Sequence, residues 1–87
     1  MKQLITRRYI SVFDNKTELL VSDINISINA DSKLKLLQTL FNERLENPMY
    51  DEYGINQSNF EQLEKILGQV FNFDFNQYSY ALSCEAL

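Results

Sequence analysis

The 87-residue chain has no histidine and no tryptophan, and only one cysteine, one proline and two glycines. Each shortage closes off a class of chemistry. Without histidine the usual general base near neutral pH is missing, and with it the Ser-His-Asp and Cys-His arrangements. One thiol cannot supply the three or four ligands of a His/Cys zinc site. Gly54 and Gly68 stand alone, so the chain has neither a dinucleotide fingerprint nor a phosphate loop. Cys84 has no partner for an internal disulfide, which suits a reducing compartment. No run approaches the ~20 apolar residues of a membrane span, and Met1-Lys2-Gln3-Leu4 does not open a signal peptide. These features give the expectation of a soluble, cytoplasmic, single-domain protein spanning residues 1–87.

What is present is acidic and uneven. The net charge is −4. Residues 1–43 carry six basic and five acidic side chains, a balance of +1, whereas residues 44–87 carry two basic and seven acidic ones, a balance of −5. The second half would repel a polyanion and attract a basic protein. The same acidity also serves solubility.

Hydropathy patterning divides the chain into elements. Leu4–Phe13 is rich in β-branched and aromatic residues, and Thr17–Ile28 alternates at Ile24, Ile26 and Ile28. Asp14-Asn15-Lys16 lies between them and suits a tight turn, because Asp and Asn tolerate positive φ. From Asp31 to Leu45 the spacing becomes helical, with Leu34, Leu37, Phe41 and Leu45 on a stripe widened by Leu36 and Leu40. Asp31 is placed to cap this helix and Pro48 to stop it. A second helix is expected after Asn56, burying Phe60, Leu63, Ile66 and Leu67 and ending at Gly68. Period two returns at Phe71, Phe73 and Phe75, then at Tyr78, Tyr80, Leu82 and Cys84 after a break at Asn76-Gln77. The expected fold is α+β, in the order β-β-α-α-β, with a three-stranded antiparallel sheet and two helices packed on one face.

The richest candidate site is the acidic-aromatic segment Glu43, Glu46, Met49, Tyr50, Asp51, Glu52 and Tyr53. Tyrosine supplies interface area at low entropic cost, and neighbouring carboxylates suit lysine or arginine on a partner. In the other reading Pro48 and Tyr50 pack beneath the turn and the acids are merely solvated. Asp51-Glu52 lacks the spacing of a calcium loop. The aromatic run Phe71–Tyr80 reads as core rather than as a base-stacking platform, because residues 66–87 contain no lysine or arginine. Tyr78 and Tyr80 are candidates for partial exposure. Arg7 and Arg8, with Lys2, form the one basic cluster. On a strand they point to opposite faces, which suits a solvated sheet edge. Cys84 reads as a small buried hydrophobe.

Three segments carry a resemblance. Arg8-Tyr9-Ile10-Ser11-Val12-Phe13-Asp14, Pro48-Met49-Tyr50-Asp51-Glu52-Tyr53 and Phe73-Asp74-Phe75-Asn76-Gln77-Tyr78-Ser79-Tyr80 resemble a family of small bacterial proteins of unassigned function. Chains of that family open with R-Y-I-x-V-F-D, carry P-M-Y-D-x-Y mid-chain and close with F-D-F-x-x-Y-x-Y. In size, charge and class the chain is also similar to immunity proteins of toxin–immunity systems, including the contact-dependent growth inhibition type. That similarity implies a cognate toxin domain, often a basic nuclease, held in a heterodimer. The resulting expectation is a non-enzymatic toxin inhibitor with no cofactor, metal, nucleic acid, membrane or small-molecule substrate. The alternative is a small regulatory or interaction module that self-associates through a strand edge.

Overall fold

In the computed structural model the described residues are 6–26, 28, 31–44, 49 and 51–86. Expectations placed on Lys2, Leu4, Ile5, Ser27, Asn29, Leu45, Glu46, Asn47, Pro48 and Tyr50 lie outside them. The elements run β1 (Thr6–Asp14), β2 (Leu20–Asn25), α1 (Asp31–Leu40), β3 (Tyr53–Ile55), α2 (Phe60–Leu67) and β4 (Tyr78–Ala86). They build a four-stranded antiparallel sheet in the order β2-β1-β4-β3, not the expected three-stranded one. The additional strand is β3. Its three residues, Tyr53-Gly54-Ile55, pair with Leu82, Ala81 and Tyr80. So short a segment, centred on glycine, carries too little alternation to register as a strand.

Strand β1 lies inside the sheet, with β2 on one side and β4 on the other. The expected sheet-edge position of Arg7 and Arg8 is therefore wrong. Their opposite orientation follows from the pleat: Arg7 is linked to Asp23 and Glu85, while Arg8 donates to the Met49 carbonyl at 2.8 Å. The β1–β2 turn also works differently from the expectation. Asp14 acts as an acceptor, its Oδ1 receiving the amides of Lys16 (2.7 Å) and Thr17 (3.1 Å). The positive φ falls on Glu18, at 61°.

Helix α1 ends at Leu40, sooner than expected. Asn42 adopts φ 62°, its amide reaches the Thr39 carbonyl at 3.2 Å, and the Glu43 amide reaches the Gln38 carbonyl at 2.7 Å. This is a Schellman termination with Asn in place of the commoner glycine. Gly68 ends α2 in the same left-handed conformation, as its position suggested, with φ 68°. The residue ahead of α2 is Asn59, whereas Asn56 organises the preceding turn by accepting from the Ser58 and Asn59 amides. Phe71, Phe73 and Phe75 form no strand. Asn72, at φ 55°, breaks the extended run, and the three rings pack instead against one another, Phe60 and Tyr80. Tyr80 is buried among them, its hydroxyl oxygen accepting from the Asp74 amide at 2.9 Å, while Tyr78 is half-buried.

The core gathers Ile10, Val12, Leu82, Tyr80 and Ile55 from one face of the sheet with Leu37 of α1 and Leu63 and Leu67 of α2. Both helices thus cover the same face. Leu36, assigned to the α1 stripe from its spacing, is 53% exposed. This difference has a measurable consequence. Leu63→Ala empties a fully buried position and is expected to cost about 2–5 kcal/mol in denaturant unfolding. Leu36→Ala is expected to change stability by no more than about 0.5 kcal/mol. Equal losses would contradict this packing.

Candidate functional site

Pairing register sorts every side chain of the sheet onto one of two faces. Ile10 pairs with Leu82 and Ile24, and Val12 with Tyr80; these form the helix-covered face. The intervening residues occupy the opposite face: Arg7, Tyr9, Ser11 and Phe13 of β1, Leu20 and Asp23 of β2, and Ser79, Ala81, Ser83 and Glu85 of β4. No described helix contributes its buried residues to this second face. We call it the open face.

Its centre is made of small residues. Ser11, Ala81 and Ser83 are buried, and the Ser11 and Ser83 hydroxyls share a 2.8 Å hydrogen bond. Around this floor runs a groove of about 280 Å³, lined by Tyr9, Ser11, Phe13, Leu20, Asp51, Glu52, Ser83 and Cys84. Glu52 arrives there by register: Tyr53 pairs with Leu82, so the preceding residue comes beside Ser83. Asp51 and Glu52 are both exposed. Cys84, which pairs with Arg8 and borders the groove, is half-buried, not the enclosed hydrophobe expected.

At one end of the open face Arg7 is held by several groups. Its guanidinium bonds Asp23 at 2.8 Å, Asn25 at 2.9 Å and Glu85 at 3.2 Å, and lies 4.3 Å from the centre of the Tyr9 ring. The bonds to Glu85 and Asp23 hold its proton more firmly than usual. This cluster ties β2 and β4 across β1.

The structure divides the acidic-aromatic segment instead of gathering it into one patch. Asp51 and Glu52 turn toward the open face. Met49 is 1% exposed, with φ 59°, and belongs to the core. Tyr53 lies on the covered face, its ring 5.3 Å from Phe41, and Glu43 is half-buried just beyond α1. Glu46 and Tyr50 are outside the described residues. Sequence reasoning missed Tyr9, Ser11, Phe13, Leu20 and Ser83 as site residues. A signal was present: in Tyr78–Glu85, the small residues Ser79, Ala81 and Ser83 alternate with Tyr78, Tyr80 and Leu82. Period-two alternation of small with large residues marks one packed face and one shallow one.

Residues 7–83 match the family described as a domain of unknown function (DUF7683). The chain belongs to this family. No curated protein and no solved structure matches it. The matched span begins with Arg7 and ends with Ser83, so it takes in the whole floor of the groove. No group of three or more His, Cys, Asp or Glu converges among the described residues as a metal site would require. No helix among them is long and apolar enough to cross a membrane.

The paired serines can be tested by a double-mutant cycle. Ser11→Ala alone leaves a buried hydroxyl without its partner and is expected to cost about 1–3 kcal/mol. The double replacement Ser11→Ala/Ser83→Ala is expected to cost less than the sum of the two single ones. Strict additivity in urea unfolding would show that the hydroxyls are not coupled.

Proposed function

We propose that this protein is an immunity-type inhibitor, binding a basic toxin domain through the open face and neutralising it by direct contact in a heterodimer. The observation that carries the reading is the open face itself. It combines aromatic and apolar side chains (Tyr9, Phe13, Leu20) with exposed carboxylates at its rim (Asp51, Glu52). Interfaces favour such a combination of aromatic and apolar contact area with polar groups at the rim. The charge supports a basic partner, since the half of the chain that supplies Asp51 and Glu52 has a balance of −5. A nuclease is the favoured toxin, because a site built to hold phosphates is itself basic and suits a carboxylate-lined surface. Such an inhibitor works by covering that site and needs no catalytic group of its own.

A second reading has its own observation. Leu19, Leu20 and Val21 are exposed large hydrophobics at β2, an edge strand, and suit self-association. The register shift opposite Val21 interrupts that edge, so regular strand addition there is restricted to the residues after the bulge. Heterologous binding through the open face is the better-supported reading.

The test is co-expression with the product of the adjacent upstream open reading frame. Expected are co-purification of the two chains and survival of cells that the upstream product alone would kill. Asp51→Lys/Glu52→Lys is expected to weaken the complex roughly tenfold or more at low salt, with a smaller effect at high salt as screening shortens the reach of charge. A monomeric chain with no complex would refute the reading, and a homodimer with no complex would favour self-association.

A further inference from the structure

We infer that the groove on the open face receives one arginine side chain of the partner, with its guanidinium at Asp51 and Glu52 and its stem along Phe13 and Leu20. This rests on the open face being the interface. Four observations converge on it. The groove, about 280 Å³, lies at the lower limit of small-molecule pockets (~300–1,000 Å³) and has room for one long side chain rather than a cofactor. Its two sides differ in chemistry: Tyr9, Phe13 and Leu20 come from the hairpin, whereas Asp51 and Glu52 come from the segment before β3. Arginine has this same division, an apolar stem and a charged head. The two carboxylates are exposed and form no ion pair among the described residues, so their charge is available.

The fourth observation is a precedent within the chain. Arg7 occupies the neighbouring part of the same face, its guanidinium over the Tyr9 ring and bonded to the two carboxylates of Asp23 and Glu85. An aromatic ring with two carboxylates already holds a guanidinium on this surface. The groove offers the same types of group to an arginine from outside, with Phe13 on its hairpin side and Asp51 and Glu52 on its β3 side. The choice of arginine over lysine follows from shape and hydration. A guanidinium is planar, sheds water more easily and can bond a carboxylate through two nitrogens while lying on a ring.

The experiment is an NMR titration of the isotope-labelled full chain with the capped tripeptide acetyl-Gly-Arg-Gly-amide. The citrulline peptide, the same shape without charge, is titrated in parallel. Expected is saturable movement of the Ser11, Phe13, Glu52 and Ser83 amides, with a dissociation constant on the order of 1–10 mM. The citrulline peptide is expected to cause none of it. Asp51→Asn/Glu52→Gln replaces exposed side chains, so the fold is expected to persist, and the arginine response should fall at least fivefold. No saturable response, an equal response to citrulline, or an undiminished response in the neutral variant would each overturn the proposal. The toxin reading fails separately. Arginine binding without an upstream partner leaves the groove assignment standing and removes the toxin. A complex as tight with the neutral variant as with the native chain removes the groove assignment and leaves the toxin reading.

Discussion

Strand β1 is hydrogen-bonded along both edges, to β2 and to β4, and this double pairing sets the orientation of nearly every side chain the fold uses. A strand paired on both sides cannot slip by one residue without exchanging its two faces. Ile10 and Val12 therefore stay against the helices, and Arg7, Tyr9, Ser11 and Phe13 stay on the other side. The apolar face anchors α1 and α2 through Leu37, Leu63 and Leu67. The remaining face is left to Arg7, the serine pair and the groove. Packing and the proposed binding surface are consequences of one register.

The local structure follows from a few polar side chains acting on the backbone. Asp14 nucleates the β1–β2 turn, Asn56 shapes the approach to α2, and Asp74 holds the turn into β4 by accepting from the Asn76 amide at 3.1 Å. Asn15 links two of these turns, since its Nδ2 donates to the Phe75 carbonyl at 3.2 Å and its Oδ1 bonds the Ser79 hydroxyl. Such short side chains imitate a missing backbone partner, which is why Asn and Asp concentrate where the chain reverses. Arg8 performs a similar service over a longer distance. By bonding the Met49 carbonyl it fastens the segment leading to β3, and so helps bring Asp51 and Glu52 to the groove.

Much of the fold was legible in the sequence where periodicity and burial coincide. Leu37, Leu63, Leu67 and Leu82 all occupy the core that their spacing suggests. The departures have distinct physical origins. Alternation at Phe71, Phe73 and Phe75 resembles a strand, yet Asn72 turns left-handed and the rings pack on Tyr80 instead. Asn42 ends α1 through a backbone motif that leaves little trace in composition. Strand β3 exists because β4 offers it an edge, so its information lies in the partner strand and not in its own three residues. For the site, composition drew attention to Asp51 and Glu52 correctly as exposed acids. It also grouped them with Met49 and Tyr53, which the fold carries into the core and onto the helix-covered face, because proximity in sequence does not report which way a side chain faces.

The central claim is that one face of the sheet stabilises the fold while the other is kept for a partner. Cross-saturation NMR on the complex with the upstream gene product tests this most directly, since only amides near the bound partner lose intensity. The expected result is attenuation at Tyr9, Ser11, Phe13, Leu20, Glu52 and Ser83, with α1 and α2 unaffected. Attenuation centred on the helices, with the open face unchanged, would contradict it.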